Sequence, residues 1–275
     1  MCIGSAAVVR WVGRSVRTLD LARPTGRGDR VRYRRHYVNA ETPTGAGASQ
    51  GRLRRAVEAT RLGFGLTARD IRELARSAGP LGARAICVPG CFVGAAFEGA
   101  LQVADWTPDI VTVANFPTGD HELDEVVAAV RRAGRDGADH VDVVAPGALV
   151  AEKRWGDLTE FVRIVREDAE DGSGGRIAIK VILETAALDV ERIRGAADSA
   201  VEGGARWLKT STGFHRAGGA TEEVVRMLRS IAPPEVGVKA SGGIQTYEDA
   251  VRMLDAGADR IGTSSEAAVL AGYGA

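Results

Sequence analysis

R-W-L-K-T at 206–210 and V-G-V-K-A at 236–240 are short apolar runs that each carry one lysine. Each is followed by a loop of small and hydroxyl residues, S-T-G at 211–213 and S-G-G at 241–243. A third run of the same kind, I-A-I-K-V-I-L-E, occupies 177–184. The chain has 36 basic residues, but only four are lysines: Lys153, Lys180, Lys209 and Lys239. Three of the four therefore fall on candidate strands. Arginine stays protonated in proteins, whereas a buried lysine can give up its proton and become a nucleophilic amine. Using arginine for surface charge while keeping lysine on strands points to positions that need an amine. Drift toward arginine, with simple burial of the lysine stems, is the structural alternative.

Working outward from these runs, the same unit recurs. Further candidate strands are A-V-E-A-T (56–60), A-I-C-V (85–88), I-V-T-V-A (110–114), H-V-D-V-V (140–144) and R-I-G-T-S (260–264). Between them lie segments of helical period, such as 68–78 and 124–133. The second has Asp120, Glu122, Asp124 and Glu125 at its start and Arg131 and Arg132 at its end, which complements a helix dipole. Asp120, His121 and Glu122 accordingly read as structural. Strands alternating with helices imply an α/β chain with a parallel sheet. Eight such units in about 215 residues predict a (β/α)8 TIM barrel over 55–275; an open doubly wound sheet is the alternative.

The first 54 residues read differently. Arg10 to Arg54 contains eleven arginines against Asp20, Asp29 and Glu41, with Pro24, Pro43 and the glycine-rich G-A-G-A-S-Q-G at 45–51. This composition predicts a poorly structured basic extension in which only 31–38 has strand character. A basic arm of this kind can also touch nucleic acid or an acidic partner, on which reading the barrel is a scaffold. The formal net charge of zero argues against whole-surface attraction to nucleic acid or membranes. No apolar run reaches the length of a membrane span, and the N-terminus lacks a secretory layout. Three cysteines (Cys2, Cys87, Cys91) fit a reducing cytoplasm, and none stands at metal-ligand spacing. Neither a metal nor a cofactor is expected.

Barrel chemistry gathers at the carboxyl ends of the strands. Lys209 and Lys239 lie late on the sixth and seventh strands, which are neighbours in a barrel. A second ammonium beside an amine disfavours its protonation, and desolvation acts in the same direction. A neutral amine can form a Schiff base with a carbonyl. Asp142, on the otherwise apolar fourth strand, is a lysine partner or a proton-transfer group. Gly237 lies on the same face as Lys239 and leaves space there for a ligand. The loops at 211–213, 241–243 and 263–265 offer backbone N–H groups suited to an anion, and three on consecutive strands point to a phosphorylated ligand.

With V-D-V-V (141–144), K-V-I-L-E-T (180–185), L-K-T-S-T-G (208–213), V-K-A-S-G-G-I-Q-T (238–246) and I-G-T-S-S (261–265), the chain resembles the deoxyribose-phosphate aldolase family of class I aldolases. The resemblance runs from about residue 56 to the end. It implies reversible cleavage of 2-deoxyribose 5-phosphate into glyceraldehyde 3-phosphate and acetaldehyde. Lys209 would form the Schiff base, Lys239 would depress its pKa, and Asp142 would relay protons. Gly213, Gly242, Gly243, Ser264 and Ser265 fall at the family's phosphate positions, and Thr60 and Thr212 complete the expected substrate contacts. Lys180 is implied to be an electrostatic or structural support, and the assembly a homodimer. Three positions depart from the family pattern: Phe214 follows K-T-S-T-G, Glu58 and Ala59 replace Asp-His in the first strand, and Pro89 and Gly90 follow the second. They leave open a Schiff-base aldolase or condensing enzyme of the same fold acting on a different carbonyl substrate, phosphorylated or not.

Overall fold

The computed structural model describes residues 46–173 and 177–272, together with three short strands nearer the N-terminus. The chain divides into two compact units, residues 1–44 and 45–275. In the first, β1 (Ala7–Val12) and β2 (Ser15–Asp20) form an antiparallel pair with Ala7 opposite Asp20 and Val12 opposite Ser15. β3 (Tyr33–Arg35) adds antiparallel to β2. The sequence suggested a strand only around 31–38. The two earlier strands, A-V-V-R-W-V and S-V-R-T-L-D, are rich in β-branched residues, which suit pairing. Positions 1–6, 13–14, 21–32 and 36–45 of the expected poorly structured extension lie outside the described residues.

Helix α1 (Ala46–Ala56) crosses the boundary expected at residue 54. Glycines make 45–51 look like a linker because they favour the unfolded chain. Docking supplies what local propensity lacks. Leu53 is 1% exposed in the main core, and Arg52 bonds to Asp255 at 2.8 Å and to the Leu254 carbonyl.

Eight parallel strands then close into a barrel: β4 (Val57–Thr60), β5 (Ala85–Cys87), β6 (Asp109–Ala114), β7 (His140–Val144), β8 (Ala178–Ile182), β9 (Trp207–Lys209), β10 (Gly237–Ser241) and β11 (Arg260–Thr263). They neighbour one another in chain order, and β11 closes the ring on β4 through Ile261–Val57, Gly262–Glu58 and Thr263–Ala59. The helices between them are α2 (Ala68–Leu81), α3 (Val93–Leu101), α4 (Leu123–Asp136), α5 (Gly147–Ala151), α6 (Trp155–Ser173), α7 (Val190–Glu202), α8 (Glu222–Ile231) and α9 (Tyr247–Asp255), and α10 (Glu266–Ala271) follows β11. Their limits follow from the sequence. Thr67 and Asp70 cap α2 reciprocally, as Thr246 and Asp249 cap α9. Asp124 and Glu125 occupy the first turn of α4, and Arg135 the last.

Strand alternation sorts the side chains. Val57, Ile86, Ile110, Val141, Val143, Ile179, Val181, Leu208, Val238 and Ile261 join the helices in one aliphatic core. The alternate positions face the barrel interior, where β5 and β6 contribute Ala85, Cys87 and Val111. Among the described residues no helix is long and apolar enough to cross a membrane.

Candidate active site

Five of the remaining interior positions are charged. Glu58 of β4, Asp142 of β7, Lys180 of β8, Lys209 of β9 and Lys239 of β10 are buried, none more than 2% exposed. Register brings them together: Asp142 stands opposite Lys180, and Lys209 opposite Lys239. The Lys209 and Lys239 ammonium groups both donate to Asp142 Oδ2, at 2.8 and 2.7 Å. Lys180 donates to Asp142 Oδ1 at 3.0 Å and lies 3.3 Å from Glu58 Oε1. Lys239 also donates to Glu58 Oε2. Apart from Asp142–Lys180 on neighbouring strands, these contacts span non-adjacent strands and cross the barrel interior. Three lysines and two carboxylates form one desolvated cluster.

Burial and charge treat the members differently. Burial lowers the pKa of Lys209 and the nearby Lys239 adds to that effect, which prevails over the opposing pull of Asp142. Burial also acts to lower Lys239, but Asp142 and Glu58 outweigh it, and its pKa is raised. Burial pushes Asp142 up, yet Lys180, Lys209 and Lys239 hold it well below the ordinary range. Glu58 follows the same logic: burial raises it, and Lys180 and Lys239 bring it down to about 2. The cluster therefore makes Lys209 easier to deprotonate than an ordinary lysine, beside a Lys239 that holds its proton and two carboxylates that give theirs up.

The mouth loops are built around close backbone approach. Gly213, Gly242 and Gly243 have φ of 84°, 88° and 77°, values that disfavour any side chain. A Cβ on Gly219 would come within 2.2 Å of the Gly242 carbonyl oxygen, so the loop after β9 lies directly on the loop after β10. Ser264 is exposed after β11, and its carbonyl accepts from Arg61 at 3.0 Å. The Ser265 amide, one of the loop N–H groups expected to face an anion, donates instead to Thr263 Oγ1 at 2.9 Å. Thr60 ends β4 with its hydroxyl donating to the Glu58 carbonyl at 3.0 Å. Thr212 is spent on Glu184: its amide lies 3.2 Å from Glu184 Oε2 and its hydroxyl donates to the same carboxylate. It supports the loop instead of standing free for a ligand. Phe214 packs edge-on against Phe116, with ring centroids 5.3 Å apart.

A cavity of about 600 Å³ lies beside these loops, between Val144, Leu183, Glu184, Thr212, Phe214 and His215, and its lining includes neither the charged cluster nor Gly213, Gly242, Gly243, Ser264 and Ser265. Gly237 corrects the sequence reading. A Cβ there would meet the Trp207 ring at 2.2 Å, so the indole, not a ligand, takes the room. Glu58 is the main omission. It is a lone carboxylate on an apolar strand, the signal that singled out Asp142, but it was noticed only as a departure. Glu184 and Gly219 carry no such signal, because their roles arise from contacts between loops.

Residues 50–272 match the family model described as DeoC/LacD family aldolase. The chain belongs to this family of aldolases. It is 39% identical over 227 residues to the deoxyribose-phosphate aldolase of Corynebacterium glutamicum, covering 82% of this chain and 97% of that one. Against the enzyme of the same name from Thermotoga maritima it is 37% identical over 242 residues, covering 88% and 93%. Among solved structures, a tetrameric deoxyribose phosphate aldolase from Aeropyrum pernix superposes with a TM-score of 0.73 at 30% identity, covering 82% of this chain and 92% of that one. As an aldolase family member with a closed (β/α)8 barrel, the chain carries the fold that the lysine-bearing strands implied.

Proposed function

We propose that this aldolase cleaves 2-deoxyribose 5-phosphate reversibly to glyceraldehyde 3-phosphate and acetaldehyde through a Schiff base on Lys209. The carrying observation is the shared Asp142 Oδ2, which holds the amine of lowered pKa and a permanently charged neighbour within 2.8 Å. The neutral Lys209 attacks the aldehyde carbon C1 of the open-chain sugar, and the carbinolamine takes up a proton from solvent and loses water to leave an iminium, the proton returning on final hydrolysis. Asp142, ionised at neutral pH, accepts the proton of the C3 hydroxyl. The C2–C3 bond then breaks, its electron pair moves toward the iminium, and glyceraldehyde 3-phosphate departs. The proton is delivered to C2 of the remaining enamine, and hydrolysis releases acetaldehyde and restores Lys209. No step calls on a metal or a redox group.

Lys239 keeps a positive charge beside Lys209, so protonation of the amine stays unfavourable. The phosphate rests on the backbone of Gly213, Gly242 and Gly243 and on the hydroxyls of Ser264 and Ser265, with Thr60 at the rim. Phe214 supplies no donor. All of these groups lie between residues 58 and 265, so a chain starting at Gly45 should keep its turnover. One starting at Arg55 gives up Leu53 and Arg52 and should melt earlier. Incubation with 2-deoxyribose 5-phosphate and borohydride tests the assignment. Mass spectrometry should find the reduced adduct on the peptide containing Lys209; an adduct on Lys180 or Lys239 instead overturns it.

A further inference from the structure

The floor of the barrel, opposite the mouth, carries a stack whose placement bears on the charged cluster. Trp207, Gly237 and Arg260 begin three consecutive strands. Because Gly237 has no side chain, the Trp207 indole lies across it. The Arg260 guanidinium sits over that indole, 5.0 Å from the ring centroid. Its Nη1 donates to the Arg55 carbonyl at 3.1 Å, and its Nε stands 3.8 Å from Glu58 Oε1. Thus Glu58 Oε1 is shared by Lys180 and Arg260, while Oε2 meets Lys239.

We propose that Arg260, fixed on Trp207, is a positioning residue that keeps Lys209 ready to react by holding the Glu58 carboxylate and adding a cation to the cluster. With Lys209 neutral, Lys180, Lys239 and Arg260 are three cations facing the two carboxylates Glu58 and Asp142. A proton arriving on Lys209 then meets a net positive surrounding. Without Arg260 the remaining two cations and two carboxylates cancel, and the proton is accepted more readily. The other charged groups around the floor do not replace Arg260. Asp109 at the start of β6 pairs with Arg84 at 2.8 Å and faces His140 at 3.8 Å. Asp259 is held by Arg229 at 3.0 Å. Lys209 itself is faced by Asp142 of β7, Lys239 of β10 and the Cys87 thiol of β5.

The inference rests on Lys209 as the reactive amine, and its test is independent of sugar cleavage. Reductive methylation with formaldehyde and cyanoborohydride needs only a neutral amine. It is followed across pH on the Lys209 peptide of the full chain by mass spectrometry. Arg260→Gln keeps a donor for the Arg55 carbonyl but removes the charge. Its Lys209 midpoint should rise by on the order of one pH unit, the scale of one nearby charge at an effective dielectric near 20. Arg260→Lys should leave the midpoint within a few tenths of the unaltered chain, taken as a small fraction of that single-charge effect. Trp207→Leu, which frees the guanidinium, should give a smaller rise in the same direction, and it decides the matter if Arg260→Gln does not fold. An unmoved midpoint in Arg260→Gln, or equal shifts in the Gln and Lys variants, overturns the proposal. Failure of borohydride trapping with the sugar, alongside a shifted methylation midpoint, would count against the substrate and not against Arg260.

Discussion

The two sides of the barrel interior differ sharply. On β5 and β6, above Asp109 at the floor, the inward side chains are Ala85, Cys87 and Val111, with Val113 and Leu62 packed against them. On β7 through β10 they include Asp142, Lys180, Lys209 and Lys239. The apolar side gives the amines nothing to bond to, and its burial raises even the Cys87 thiol to about 11. The charged side satisfies every ammonium with a carboxylate. Chemistry arises from the pairing: one side removes water, which disfavours a charged Lys209, and the other fixes which lysine gives up its proton.

The strongest way to break this comparison is to remove the amine. Lys209→Arg should abolish both borohydride trapping and sugar cleavage, since guanidinium cannot supply a neutral amine. Next, Asp142→Asn should still allow trapping but slow cleavage by roughly 10²–10⁴-fold, the usual cost of a lost general acid–base group. Single-turnover rates with the phosphorylated sugar separate the two steps. Equal losses in trapping and cleavage would assign Asp142 to holding lysines alone. At the mouth, Phe214→Lys adds a charge-assisted bond to phosphate worth roughly 1.5–3 kcal/mol. The preference for the phosphorylated over the free sugar should rise accordingly, mostly through KM, as read from kcat/KM for both.

Two weaker effects sharpen the contrast. Glu58 has a folded pKa of about 2 against an ordinary 4.5. A depressed carboxylate stabilises the fold above its unfolded pKa, and that contribution fades as pH falls from about 4.5 to about 2. Urea titrations should therefore show the gap between the unaltered chain and Glu58→Gln narrowing over that window. The smallest expected effect lies on the apolar side. Cys87→Ser places a hydroxyl near Lys209, which should move the acid limb of kcat/KM upward by a few tenths of a pH unit, because a better-solvated ammonium holds its proton longer. An unmoved limb would mean that the apolar side does not contribute to the lowered pKa.

The barrel was legible because its signals are local. Period-two apolar runs marked all eight strands, and a lysine or aspartate within such a run marked four members of the cluster. What escaped depends on distance through space. Glu58 looked like a substitution because its partners, Lys180 and Lys239, are more than a hundred residues away in sequence. Helix α1 looked like a linker because glycine content is visible and the burial of Leu53 is not. Gly237 looked like an opening because nothing in V-G-V-K-A reveals that an indole from the preceding strand fills it.

That last contact has a consequence for how this barrel can vary. Any side chain added at 237 collides with the ring at 207, and shrinking the ring alone leaves a hole beneath Arg260. The two positions are therefore sterically coupled, and a change at one should be tolerated best when the other changes with it. A library that randomises them jointly should recover folded combinations, such as a bulkier 237 with a smaller 207, that neither single-site library contains.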